Sequence, residues 1–234
     1  MKDKRSGKYK TKNRFCRLFV ILMVMIIGLA FTGKGAYIQS KAVLAQGLMA
    51  LAWQRYLETG ESQKPWPWAD IKPIGKLTVD RLEVEQIMLD SHAGEALAFG
   101  PGLVRGETSL SNTSSSNTTW SNHPVWVVAG HRDTHFRFLE KLLLKDVIRL
   151  SIGPGETVAE GFSKDAAYAI QSMQVMDSRI HHLPLNATED TLYLVTCYPF
   201  NEIRSGGPLR YVVTATQVQR HSLPFFDADD AAYF

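Results

Sequence analysis

The chain has 234 residues, with 26 Lys and Arg against 23 Asp and Glu, 45% apolar residues and two cysteines. Its formal charge of +3 comes from the leading tail, because residues 1–17 hold eight Lys/Arg and one Asp, leaving 18 basic against 22 acidic residues in the rest. A slightly acidic body argues against a nucleic-acid-binding face, and two cysteines, Cys16 and Cys197, argue against a disulfide-stapled scaffold.

Residues 18–33 (LFVILMVMIIGLAFTG) form an uncharged apolar run of sixteen. That is slightly short of the roughly 20 residues of a bilayer span, and Arg17 and Lys34 can extend it by snorkelling. Its length favours a transmembrane signal anchor over a cleaved signal peptide. The basic tail, residues 1–17, then lies in the cytoplasm, and everything after the span is exported. Residues 38–57 repeat apolar side chains at helical spacing, with Leu44, Leu48, Leu51, Trp53, Tyr56 and Leu57 on one broad face. This predicts a juxtamembrane helix over 36–60, stopped by Thr59-Gly60. Lys64-Pro65-Trp66-Pro67-Trp68 reads as an extended linker whose tryptophans cover a sheet edge.

From residue 70 to 220 the pattern is that of one β domain. Short runs are expected as strands at 76–79, 81–84, 87–89, 125–129, 147–152, 168–176, 192–196 and 211–217, with turn signals at Pro101-Gly102 and Gly153-Pro154-Gly155. About eight strands with few helices predict a closed β-barrel. Thirteen of the fifteen residues from 108 to 122 are Ser, Thr or Asn, a solvated loop. Residues 221–234 form an acidic tail whose Asp227, Asp229 and Asp230 are too irregular for a calcium loop.

Two strand ends carry the chemistry. Val128-Ala129-Gly130-His131-Arg132-Asp133-Thr134 ends an apolar run on a histidine, and Thr191-Leu192-Tyr193-Leu194-Val195-Thr196-Cys197 ends another on the one cysteine of the exported part. A thiol attacks an amide as the thiolate and needs a general acid for the departing amine, so Cys197 and His131 are the candidate nucleophile and acid. Arg210 opens the next strand and offers a permanent charge to an oxyanion. It is preferred to Arg204, which sits in a loop. Thr196 and Asp133 are candidate substrate contacts; Asp133 alternatively caps a helix starting near Phe136. An unpaired cysteine in a strand is more often an inert core residue, but its His and Arg context reverses that reading. A metal held by His131, His135 and Cys197 is the rival. No carboxylate completes the ligand set, so neither metal nor cofactor is expected. His181-His182 reads as surface.

These three motifs resemble those of the sortases, cysteine transpeptidases with a Gly-His motif, a Thr-Leu-x-Thr-Cys-like motif and an Arg on the following strand. Here they are Gly130-His131, Thr191 through Cys197, and Arg210, with 66 and 13 residues between the three positions. The runs Gly130-His131-Arg132-Asp133-Thr134-His135-Phe136 and Val195-Thr196-Cys197-Tyr198-Pro199-Phe200 look most like the marine proteobacterial type. The resemblance implies a sortase-like eight-stranded β-barrel as the catalytic domain, on the periplasmic side of the inner membrane and held there by the single-pass anchor. It implies an exported protein partner with a C-terminal signal like Leu-Pro-x-Thr-Gly, cleaved after Thr through a thioester, and an amine acceptor. For that type it also implies a dedicated partner with a von Willebrand A-like domain. The other classes are an L,D-transpeptidase or other exported cysteine peptidase, and a membrane-tethered scaffold without activity. Leu-Val-Thr before Cys197 departs from the Ser-x-Gly pattern of the L,D-transpeptidases.

Overall fold

The structure is a computed structural model that describes residues 6–105, 125–156, 164–184, 187–202 and 206–218. The Ser/Thr/Asn-rich loop, Arg204 and the acidic tail lie outside the described residues. The chain divides into a unit ending at Gly47 and a unit beginning at Leu48.

One helix, α1 (Ser6–Thr59), covers both the apolar run and the predicted juxtamembrane segment. In the first unit its apolar side chains are exposed all round, from Leu18 through Ile27 and again at Leu29 and Phe31. A helix apolar on every side has no one face to turn to a protein core, and this one is long and apolar enough to cross a membrane. In the second unit the end of α1 is amphipathic. Met49, Ala52, Trp53 and Tyr56 are buried at i, i+3, i+4 and i+7. Leu44, Leu51 and Leu57, expected on the inward face, are exposed. The face is narrower than the sequence suggested and is centred on Met49 and Tyr56. The helix stops at Gly60, which takes φ +75° while its N–H donates to the Tyr56 carbonyl at 2.9 Å, an αL cap that a Cβ would disfavour. In the linker Trp66 packs edge-on against Phe99 at 5.3 Å, whereas Trp68 is 80% exposed and covers no edge.

Eight strands follow: β1 (Pro73–Val79), β2 (Val84–Leu89), β3 (Gly102–Arg105), β4 (Val125–Ala129), β5 (Val147–Ile152), β6 (Asp165–Asp177), β7 (Thr191–Cys197) and β8 (Leu209–Gln217). They close in the order β1-β2-β3-β4-β7-β8-β6-β5, with β5 returning to β1, so the barrel has no open edge. Residues 81–84, expected as a strand, instead make a 3-10 turn over Asp80–Leu82 and a left-handed Glu83 that fold β1 back onto β2. β3 was not expected. Its four residues begin at the Gly of Pro101-Gly102, which reads as a turn, and it is held by its pairing with β4.

Inward side chains fill the barrel. Leu77, Met88, Val128, Phe136, Leu139, Ile148, Leu150, Ile170, Leu194 and Val213 are all 2% exposed or less. Alternation along the strands explains the pattern: Trp126 and Val128 point in from β4, Leu192 and Leu194 from β7, Val213 and Ala215 from β8. The α1 end is joined to this barrel through Gly153, where a Cβ would collide with the Tyr56 ring. Tyr56 is itself 1% exposed, so the ring cannot turn away into solvent. Gly153→Ala is therefore expected to destabilise the domain by about 1–3 kcal/mol, read as a lower urea midpoint at unchanged m; an unchanged midpoint would show that the helix end is loosely attached.

Candidate active site

β4 and β7 pair in parallel, Val125 with Thr191 through Ala129 with Val195. Every pair has an offset of 66 residues, the same separation as between His131 and Cys197. The sequence spacing is thus the register of a ladder, carried two residues past the end of β4. Gly130 extends it, its N–H donating to the Val195 carbonyl at 3.1 Å. On the other side of β7, Cys197 pairs with Arg210 in the antiparallel β7–β8 ladder. His131, Cys197 and Arg210 therefore stand on neighbouring backbones at one rim.

Alternation also decides which face Cys197 takes. Thr196 is buried, and Val195 packs outside the barrel core, with Val127, Tyr193 and Val212, in a cluster that Val104, Val125, Met176 and Leu183 adjoin. Cys197 and Arg210 continue the rows of Val195 and Val212. An apolar strip on the outer face of β4, β7 and β8 thus leads to the thiol. Along one side runs the β6–β7 connection, tied down by the Tyr193 hydroxyl donating to the Pro184 carbonyl at 3.1 Å. His181 and His182 in this connection are exposed.

The Gly-His pair has a packing reason. A Cβ on Gly130 would lie 2.6 to 2.8 Å from three ring atoms of Phe136, which is fully buried. The Gly130 carbonyl accepts the Thr196 hydroxyl at 2.7 Å. Thr196, expected to contact substrate, is 2% exposed and points inward. Its hydroxyl instead joins the residue before His131 to the residue before Cys197. Asp133, also expected to contact substrate, accepts at its carboxylate from Arg132 Nε at 2.9 Å and Nη2 at 3.1 Å, and that bonding holds it below the ordinary carboxylate range. It caps no helix, because the segment Arg137–Lys141 is a 3-10 turn without a side-chain cap.

Arg132 escaped the sequence reading, although it stands beside His131. Its side chain is 6% exposed, and it donates from Nη1 to the Pro199 carbonyl at 2.6 Å and from Nη2 to the Glu202 carbonyl at 2.7 Å. The signal available was a charged residue inside an otherwise ordinary turn, which alone does not announce burial. Arg210 is half-buried and donates from Nη1 to the carbonyls of Gly207 and Leu209 at 2.6 and 2.9 Å, so its own loop steadies it. Tyr198, Phe200 and Tyr211 cluster against the barrel core, with centroids 5.0 to 6.1 Å apart, Tyr198 stacked on Tyr211 and the other two pairs edge-on. His135, weighed as a metal ligand with His131, places Nδ1 2.9 Å from Gln86 Oε1 and Nε2 3.3 Å from the Ala98 carbonyl.

A closed barrel with a histidine, a cysteine and an arginine at the ends of its neighbouring strands defines a sortase-like fold. A Sortase domain family model matches residues 77–218, and the chain belongs to the sortase family, a family of cysteine transpeptidases. No curated protein matches the chain. Among solved structures, sortase A from Corynebacterium diphtheriae is 19% identical, aligned over 69% of this chain and 66% of its own, with a TM-score of 0.50. Its lid mutant is 17% identical over 80% and 97%, with a TM-score of 0.49. Sortase C from Clostridium perfringens SM101 is 17% identical over 77% and 90%, with a TM-score of 0.46. The chain spans about two thirds of the first of these structures, and at that identity the likeness is one of fold.

Gly130→Ala is expected to cost about 1–3 kcal/mol of stability, and Phe136→Leu in the same chain to restore part of it. A double-mutant cycle in denaturant measures the coupling; strict additivity would mean that the ring is not the obstacle. His135 supplies a pH dependence. Burial, and then the nearby His131 charge, pull its pKa below the ordinary histidine value, against a rise from the Ala98 carbonyl bond. The unfolded chain therefore takes up this proton first. The contribution to stability is fully present above pH of about 6.5 and is lost as the pH falls toward the depressed folded value. His135→Gln should flatten that part of the curve of unfolding free energy against pH, and an unaltered curve would assign the dependence elsewhere.

Proposed function

We propose that the protein is a membrane-anchored sortase that cleaves an LPxTG-like C-terminal sorting signal of an exported protein and transfers the acyl part to an amine. The observation that carries this reading is the shared register of His131, Cys197 and Arg210 at the end of an apolar outer strip. Such a strip suits the Leu and Pro of the signal and brings the Thr carbonyl toward the thiol. Cys197 as thiolate attacks that carbonyl, forming the C–S bond. Arg210 faces the negative charge that develops on the carbonyl oxygen. His131 as imidazolium gives its proton to the amide nitrogen as the C–N bond breaks, and the amine leaves. A thioester remains. The neutral His131 then takes a proton from the incoming amine, whose nitrogen attacks the thioester and releases the Cys197 thiolate, with water as the slower competitor.

The apolar part of α1, led by eight basic residues, supports a single-pass anchor with its N-terminus in the cytoplasm and its barrel on the outer side of the inner membrane. The exported substrate reaches a site on that side. An acceptor amine of the same compartment completes the reaction.

Mass spectrometry of the full chain incubated with a Leu-Pro-x-Thr-Gly peptide tests the proposal. The expected product is an adduct equal to the peptide truncated after Thr, absent in Cys197→Ala and released by an added amine. An absent adduct, with a Cys197 that resists alkylation in the folded protein, would leave a barrel scaffold without this chemistry.

A further inference from the structure

The pairing of β4 with β7 ends just below the site. Past His131 and Cys197 the two chains diverge, one into the turn up to Phe136, the other into the β7–β8 connection. Two short bonds continue the junction, Gly130 N–H to the Val195 carbonyl and the Thr196 hydroxyl to the Gly130 carbonyl. Above them one side chain reaches across. Arg132 follows His131 directly, and the carbonyls it holds belong to Pro199 and Glu202, two and five positions after Cys197.

A guanidinium only 6% exposed carries a large desolvation cost, which is offset only when its donors are well matched. Here the match is extensive. Of its five N–H donors, Nε and one on Nη2 face the Asp133 carboxylate, one on Nη1 faces Pro199 and Nη2 also faces Glu202. The Asp133 bond is the main cause that holds the cation, and charge at Cys197 and Glu202 adds to it. The planar fork serves three acceptors in three directions. A lysine has a single nitrogen and cannot reach all of them. Asp133 is more exposed, 63% at its side chain, and its bidentate contact fixes the rotation of the fork.

We propose that Arg132 is a positioning residue, a buried tether that ties the turn carrying His131 to the connection that follows Cys197 and so holds the imidazole and the thiol in reacting register. Asp133 acts through Arg132 by aiming its guanidinium. The role in catalysis rests on the sortase reading given above; the tether itself does not.

Two measurements on the full chain in detergent micelles separate these parts. The first is hydrogen exchange of the backbone amides between Tyr198 and Glu202 in wild type, Arg132→Lys and Asp133→Asn. Exchange in this segment is expected to speed up in Arg132→Lys, and less so in Asp133→Asn, with β1, β5 and β6 unchanged. The second is kcat and KM for the sorting-signal peptide, normalised to titrated Cys197 thiol. Misplacement of about 1 Å at a reacting pair costs on the order of 100-fold. Arg132→Lys should therefore lose up to about that factor in kcat while KM stays close to wild type, and Asp133→Asn should lose less.

Wild-type exchange in the segment, or wild-type kcat per thiol, would overturn the proposal. So would faster exchange spread over the whole barrel with kcat per thiol unchanged, because that is the behaviour of a residue that only stabilises the fold. If the wild-type chain forms no acyl-enzyme, the sortase reading fails and the positioning role falls with it, while the exchange data still report whether the tether exists.

Discussion

Five consecutive backbone pairs between β4 and β7 run parallel, and a slip of β7 by one residue would turn every one of its side chains to the opposite face. Leu192 and Leu194 would leave the core, Tyr193 and Val195 would enter it, and Cys197 would point into the barrel. The apolar alternation on both strands forbids this. The same core packing that stabilises the barrel therefore sets where the thiol faces and which backbone carries its histidine. Gly130, Phe136 and Thr196 sharpen the arrangement: a missing Cβ lets the turn lie on a buried ring, and a buried hydroxyl joins the two strands at their last common point.

Closure of the sheet makes that register durable. β8 lies between β7 and β6, and β5 returns to β1, so each strand near the site is paired on both sides. Arg210 inherits its place from this, opposite Cys197 and supported by the carbonyls of its own loop. The polar residues of the turn after Gly130 are likewise engaged with other elements. Arg132 reaches the β7–β8 connection, and His135 lies between Gln86 on β2 and the Ala98 carbonyl. A side chain presented from a short turn needs such support, because the turn has no ladder of its own.

Much of this was legible beforehand, and the exceptions have physical causes. β4 and β5 match their expected limits residue for residue, because each is a compact apolar run between polar boundaries. β3 was invisible, since four residues opening on the Gly of a Pro-Gly turn signal carry too little pattern and its existence depends on β4. Residues 81–84 failed because tight folding between β1 and β2 overrode a weak strand pattern. The inward face of α1 was misjudged where helical spacing alone cannot tell a protein-facing side from an apolar one left exposed. At the site, the placement of Cys197, His131 and Arg210 at neighbouring strand ends was readable from the sequence. The inward turn of Thr196 and the bonding of Asp133 to Arg132 were not readable, because proximity in sequence says nothing about which way a side chain turns. Burial of Arg132 depended on carbonyls 67 and 70 residues away, beyond the reach of any local pattern.

The order of strands around the barrel has a consequence for how the molecule comes into being. The two backbones that carry His131 and Cys197 are joined side by side, yet β5 and β6 intervene between them in the chain, and the strand that flanks β7 on its other side is the last of all. Contacts of such long sequence separation form late in folding, because the intervening segment must first be closed. The Cys197 thiol therefore stays apart from the His131 imidazole until β7 closes onto β4 across the intervening β5 and β6. Pairing of β4 with β7 and the meeting of the two backbones are one event, and a chain folded only as far as β6 holds no such pair.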